Sequence, residues 1–114
     1  MAFPAYGDII FVDWSPSAGR EMKDPHPGVV VSATPFNRNL FCVVCPITSI
    51  VREWPFEVRL LDPRLKTRGV VLADRPMSLD LKARRWRKVE ALDTDTLEEL
   101  MAKLVTLFPP FSMN

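Results

Sequence analysis

Arg20, Glu21, Lys23, Asp24 and His26 fall within seven consecutive residues, and His26 is the only histidine in the chain. An imidazole titrates near neutrality and can act there as acid or base. Pro25 and Pro27 bracket His26 and bias it to extended geometry. Val29, Val30 and Val31 follow without interruption, as in a strand buried on both faces. Proton-moving side chains on a loop anchored by a core strand is how many sites are built. The same residues also describe a solvated hairpin loop with a surface histidine, and this segment alone favours that plainer reading.

The surrounding elements must hold such a loop in place. Asp8–Trp14 is a short apolar run between Gly7 and Ser15-Pro16-Ser17, which predicts a buried first strand. A loop over Ser15–Pro27 leads to a second strand at Gly28–Ala33. Turn chemistry at Pro35–Asn39 precedes a third strand at Leu40–Ile47. Ser49–Pro55 is a second polar loop. Phe56–Leu60 alternates apolar and charged residues and predicts a half-buried fourth strand, and Gly69–Ala73 predicts a fifth. Leu79–Arg85 reads as a helical turn, and Arg87–Ala91 as a last short strand. The final element is a helix that Asp93 or Asp95 can cap. Its stripe is Leu97, Leu100, Met101, Leu104, Leu107 and Phe108, and Pro109-Pro110 ends it. Short strands, close turns and one C-terminal helix imply a small, strongly curved antiparallel sheet or barrel.

At 114 residues, 47% apolar and 25% charged, the chain reads as one globular domain. It has no apolar run long enough for a membrane span and no secretory-type start, so a cytoplasmic location is expected. Cys42 and Cys45 form a Cys-x-x-Cys, but on a strand residues three apart point to opposite faces. They are expected to be buried free thiols rather than a bridge or a metal site. The formal charge of +1 hides an asymmetry. Residues 59–88 hold ten bases against three acids, about +7, and the remainder carries about −6. That basic middle, with Trp86 inside it, suits a polyanion partner or a solvated basic face about equally.

Four segments in order and spacing resemble the MazF/PemK (Kid) family of bacterial toxins over about residues 7–108. They are Gly7-Asp-Ile-Ile-Phe-Val-Asp13; Gly19-x-Glu21 running to Pro27-x-Val-Val-Val-Ser32 and Phe36-Asn37; Cys45-Pro-Ile-Thr-Ser49 with Pro55-Phe-Glu-Val58; and Gly69-Val-Val-Leu-Ala-Asp74 continuing to Ser78-Leu-Asp80 and Ala83-Arg84. The resemblance implies a mainly β fold with α, an SH3-like β-barrel of the Kid/MazF/CcdB type with a C-terminal helix, as a single domain over 1–114. It implies a homodimer that cleaves single-stranded RNA, mRNA above all, at short sequences. The RNA 2′-hydroxyl would attack the neighbouring phosphorus, leaving 2′,3′-cyclic phosphate and 5′-hydroxyl ends, with no metal or other cofactor. A cognate antitoxin with an acidic C-terminal segment would block the site.

Carried over residue by residue, the resemblance names candidates. His26 stands where the family commonly has a catalytic arginine, just before the proline at the loop-to-strand junction. Arg20 stands where some members carry a catalytic histidine, so the pair looks like the family's two functional types exchanged between sites. A histidine cannot supply arginine's permanent two-pronged phosphate clamp, and Arg20 is expected to compensate. Thr48 matches a catalytic threonine and Glu21 a functional acid. Leu72 replaces an arginine used by some relatives. Asp74 matches an acid implicated in some relatives. By residue type rather than by resemblance, Ser49, Arg52, Arg75, Arg84 and Arg87 join it in the expected RNA-contacting set, and Trp54 suits stacking on an unpaired base or an interface or lid position about equally. Two other readings stay open: a gyrase-poisoning toxin of the same fold that cuts nothing, and an RNA- or antitoxin-binding module with degraded catalysis.

Overall fold

The computed structural model of the chain describes residues 2–15, 19–20 and 24–110. Seven strands alternate with two helices: β1 (Asp8–Asp13), β2 (Pro25–Val30), α1 (Thr34–Asn37), β3 (Phe41–Thr48), β4 (Glu57–Arg59), β5 (Val70–Leu72), β6 (Met77–Asp80), β7 (Trp86–Ala91) and α2 (Thr94–Leu104). All pairings are antiparallel, in the order β4-β5-β3-β2-β1-β7, with β6 also on β3. The sheet curves without closing. Its two end strands, β4 and β7, do not pair with each other, and α2 packs beside β4, where Lys103 Nζ donates to the Glu57 carbonyl at 2.9 Å. This is the curved antiparallel architecture with a C-terminal helix that the sequence predicts.

The β-branched runs are buried on both faces because each face covers a separate core. One core holds Ile9, Val29, Cys45, Ile47, Val58 and Val71 under Leu100 and Leu104 of α2. The other holds Ile10, Val12, Trp14, Val30, Cys42, Val44 and Leu79. The parity of the strands sorts neighbours into these two cores. Cys42 and Cys45 therefore lie in different cores, both buried and free.

Several boundaries depart from expectation for physical reasons. β2 begins at Pro25, three residues before Gly28, so His26 sits within a strand opposite Val12 rather than in a loop. Leu79–Arg85 is not a helical turn. Met77–Asp80 is a strand on β3 that buries Leu79, and the chain turns after it. Pro35–Asn39 forms most of the short helix α1 and its exit. The side chain of Asp93, not Asp95, caps α2, accepting from the Thr96 N–H at 3.1 Å and its hydroxyl at 2.8 Å. Leu100 and Leu104 are buried as the stripe requires, but the helix ends at Leu104, and Leu107 and Phe108 are exposed.

Candidate active site

Three prolines shape the site. Val31 donates to the Val43 carbonyl, so alternation along β2 points the backbone of Pro27 and Pro25 toward β3. Neither has an N–H to extend that ladder, and the β2–β3 pairing stops at Gly28↔Pro46. Beyond it β3 leaves β2, while its other edge passes from β6 to β5, with Ile47 opposite Val71 and Thr48 opposite Val70. Pro46 faces the gap between the last β6 rung at Val44 and the first β5 rung at Ile47, where a backbone N–H would have no ladder partner. The strands splay, and a cleft of about 1060 Å³ opens between them.

The cleft gathers residues from across the sequence. Arg20 and Asp24 come from the segment before β2, His26 from β2, Pro46 and Thr48 from β3, and Arg52 and Trp54 from the β3–β4 loop. Leu72 of β5, and Asp74, Arg75, Pro76 and Met77 at the β5–β6 turn, complete the lining. Three guanidiniums and an imidazole thus meet two carboxylates. His26 is half-buried, and its carbonyl accepts the indole N–H of the fully buried Trp14 at 3.1 Å. Gly28 leaves room for that indole: a Cβ there would lie 2.8 Å from Trp14 Cζ2 and 2.6 Å from Val44 Cγ1. Thr48 is fixed from the other side. Gly69, at φ +113°, passes so close that a Cβ would collide with the Thr48 carbonyl oxygen. Thr48 Oγ1 accepts from the Ile50 N–H at 3.2 Å, which leaves the hydroxyl proton free to be donated.

Arg20, Arg52, Trp54 and Arg75 are in contact with one another. Arg75 donates to the Arg20 carbonyl at 3.2 Å, joining the β5–β6 turn to the segment before β2. Its guanidinium carbon lies 5.6 Å from the Trp54 ring centroid, and that of Arg52 lies 5.2 Å away. Trp54 is 41% exposed, and both cations are within cation–π range of it. Asp74 has one carboxylate oxygen buried with no hydrogen-bond partner.

Of the residues expected from the sequence, Arg20, His26, Thr48, Arg52, Trp54, Asp74 and Arg75 share this cleft. Glu21 lies outside the described residues. Ser49 is exposed next to Thr48 but does not line the cleft. Arg84 and Arg87 lie elsewhere. Arg84 donates to the carbonyls of Asp80 and Asp13, at 3.2 and 3.1 Å. Arg87 pairs with Phe11, which sits opposite Pro27, one step out of phase with the Trp86–Val12–His26 row, so it projects from the other face of the sheet. There it covers the Phe11 ring at 5.1 Å. Sequence reasoning missed the supports Trp14, Pro46 and Gly69, whose roles depend on neighbours distant in the chain. Among the described residues no three His, Cys, Asp or Glu side chains converge as metal ligands, and no helix is long and apolar enough to cross a membrane.

A basic cleft thus lies at the splayed ends of two strands, on a curved sheet backed by a C-terminal helix. The chain belongs to the PemK-like, MazF-like toxin family of type II toxin–antitoxin systems, whose pattern matches residues 5–108. It is 33% identical over 105 residues to Endoribonuclease PemK of Escherichia coli, covering 89% of this chain and 79% of the relative. The crystal structure of MazF from Deinococcus radiodurans matches it with a TM-score of 0.88 at 34% identity, over 94% of this chain and 97% of that one. A chain of the MazE–MazF crystal structure from the same organism matches with a TM-score of 0.82 at 34% identity, over 94% and 96%.

Proposed function

We propose that the protein is an endoribonuclease toxin that cuts single-stranded RNA, mRNA above all, at a short sequence without a metal. The observation that carries this reading is the meeting of His26, Thr48 and Arg20 with Arg52 and Arg75 in one open cleft. The family's named endoribonucleases support the activity. The ribose 2′-oxygen attacks the adjacent phosphorus as its proton leaves to a base, the bond to O5′ breaks, and a proton reaches O5′. His26 is assigned one of these proton transfers, since imidazole exchanges protons near neutral pH. The hydroxyl of Thr48 and the guanidinium of Arg20 stabilise charge on the phosphorane oxygens. Glu21 keeps its assignment as a functional acid, by family resemblance. Arg52 and Arg75 contact flanking phosphates, and Ser49 and Trp54 contact the RNA beside the cut. Asp74, which lines the cleft, accepts a donor from the RNA. Arg84 and Arg87 fall outside this set because they lie away from the cleft.

In this reading the protein acts in the cytoplasm as a homodimer. It is neutralised by a cognate antitoxin whose acidic C-terminal segment competes with RNA for the same guanidiniums. The named MazE–MazF complexes of a relative support an antitoxin partner. The apolar exposed side chains of Val105, Leu107 and Phe108 are compatible with a subunit contact.

The test is cleavage of a long unstructured RNA by purified protein in EDTA, from about pH 5.5 to 8.5, beside His26→Ala and His26→Arg. Cuts at one motif with cyclic-phosphate and 5′-hydroxyl ends are expected. His26→Ala is expected to be slow, and His26→Arg to lose the pH dependence. Intact RNA with clean, folded protein would reject the reading, and gyrase trapped on DNA would replace it with the poison.

A further inference from the structure

We propose that Glu57 is a positioning residue for RNA binding, holding the β3–β4 loop so that Arg52 and Trp54 reach the cleft. The proposal rests on the endoribonuclease reading above. Glu57 is the first residue of β4 and is 8% exposed, an uncommon place for a carboxylate. Its partners are backbone donors. Oε1 and Oε2 accept from the Arg52 N–H at 3.2 and 3.1 Å, and Oε1 accepts from the Glu53 N–H at 2.9 Å. Glu57 also donates its own N–H to the Trp54 carbonyl at 3.0 Å, closing a tight ring of contacts around residues 52–54.

That loop needs an external anchor. Glu53 has φ +59°, a left-handed conformation costly for any residue but glycine. It is one of two consecutive residues whose N–H groups converge on a single carboxylate, an anion-binding nest filled from within the chain. The residues on either side of Glu53, Arg52 and Trp54, both line the cleft and stack on one another. Glu57 does not line the cleft. Its carboxylate therefore acts on substrate only through the loop, and the helix end steadies it from behind through Lys103 on the Glu57 carbonyl. Truncation frees the loop without touching His26 or Thr48, so binding suffers and chemistry does not.

The experiment compares wild type with Glu57→Ala, Glu57→Gln, Arg52→Ala and Glu57→Ala/Arg52→Ala on one RNA carrying the wild-type cut site. Each variant's fold is checked by thermal melting. The expected result is a KM raised about tenfold in Glu57→Ala with kcat within about twofold, the pattern of lost positioning of bound substrate. Glu57→Gln, which retains an acceptor oxygen, is expected to recover part of the loss. The double variant is expected to fall short of the sum of the two single effects, because Glu57 acts in part through Arg52 and for the rest through Trp54. Three results would overturn the assignment: an unchanged KM in both folded Glu57 variants, a fall in kcat alone, or full additivity with Arg52→Ala. A wild type that cuts no RNA would instead remove the reading of the cleft, and this assignment with it. If Glu57→Ala fails to fold, Glu57→Gln and its double with Arg52→Ala decide.

Discussion

Trp14, one residue past β1, and His26 of β2 are joined by a hydrogen bond, the buried indole donating at 3.1 Å to the carbonyl of the chain's only histidine. The second core thus extends directly to the candidate proton-transfer residue. Trp14→Phe removes the donor and leaves a gap beside Gly28. It is expected to lower stability by about 2 kcal/mol in urea titrations. RNA cleavage by the folded fraction is expected to fall as well, because His26 loses its tether.

Gly69 fixes the opposite wall. Gly69→Ala meets both a left-handed φ and the Thr48 carbonyl. The expected cost is about 2 kcal/mol or more in chemical denaturation. In whatever protein folds, kcat is expected to suffer more than KM, since the displaced residue, Thr48, is the one proposed to act at the reacting phosphate.

The arginines should divide by location. Arg52→Ala is expected to flatten the salt dependence of single-stranded RNA binding by about 0.7 in log–log slope, the loss of one phosphate contact. Arg84→Ala is expected to leave that slope unchanged and to lower the melting temperature, because its guanidinium binds two backbone carbonyls. Fluorescence anisotropy at several salt concentrations separates the two.

Burial pushes the Cys42 thiol up from an ordinary 9.0 to about 11, and burial together with the Asp74 charge pushes Cys45 to about 12. Both folded-state values lie above the unfolded one, so the folded state keeps its protons longer. The thiols' contribution to stability is full below about pH 9 and declines from there toward pH 11 to 12. Denaturation measured at rising pH is expected to show a steeper loss in wild type than in Cys42→Ala/Cys45→Ala. A thiol reagent at neutral pH should label neither cysteine until the protein unfolds.

Glu90 behaves in the opposite sense. Partial burial works against its charge. The N–H groups of Lys66 and Thr67 and the Thr67 hydroxyl, at 2.7–3.0 Å, outweigh that and hold its pKa below the ordinary 4.5. Its stabilisation is present above about pH 4.5 and is lost as pH falls through the lower folded value. The stability gap between wild type and Glu90→Gln is therefore expected to be widest near neutrality and to close in acid.

Much of this architecture was legible because β-branched runs and the α2 stripe carry their periodicity locally. Cys42 and Cys45 were assigned to opposite faces from spacing alone, and they lie there. The misplaced start of β2 came from reading Pro25 and Pro27 as loop. In this fold the absence of their N–H groups is what ends one ladder while β1 still pairs with them. β6 escaped notice because only Leu79 of its four residues is buried. Arg84 and Arg87 resembled RNA contacts by charge, and only register and carbonyl partners reveal where they point. Glu57 looked like the polar member of an alternating strand, and its inward carboxylate becomes visible once the loop folds over it.

β3 is held by β2 on one edge and by β6 and then β5 on the other. Its ladder amides should exchange with deuterium only when the whole domain opens, whereas the exposed Ile50 and Val51 can open at smaller cost. Mild stress is therefore expected to leave Thr48 in place, and a cell that must stop the proposed nuclease quickly has to occupy the cleft rather than wait for the fold to fail.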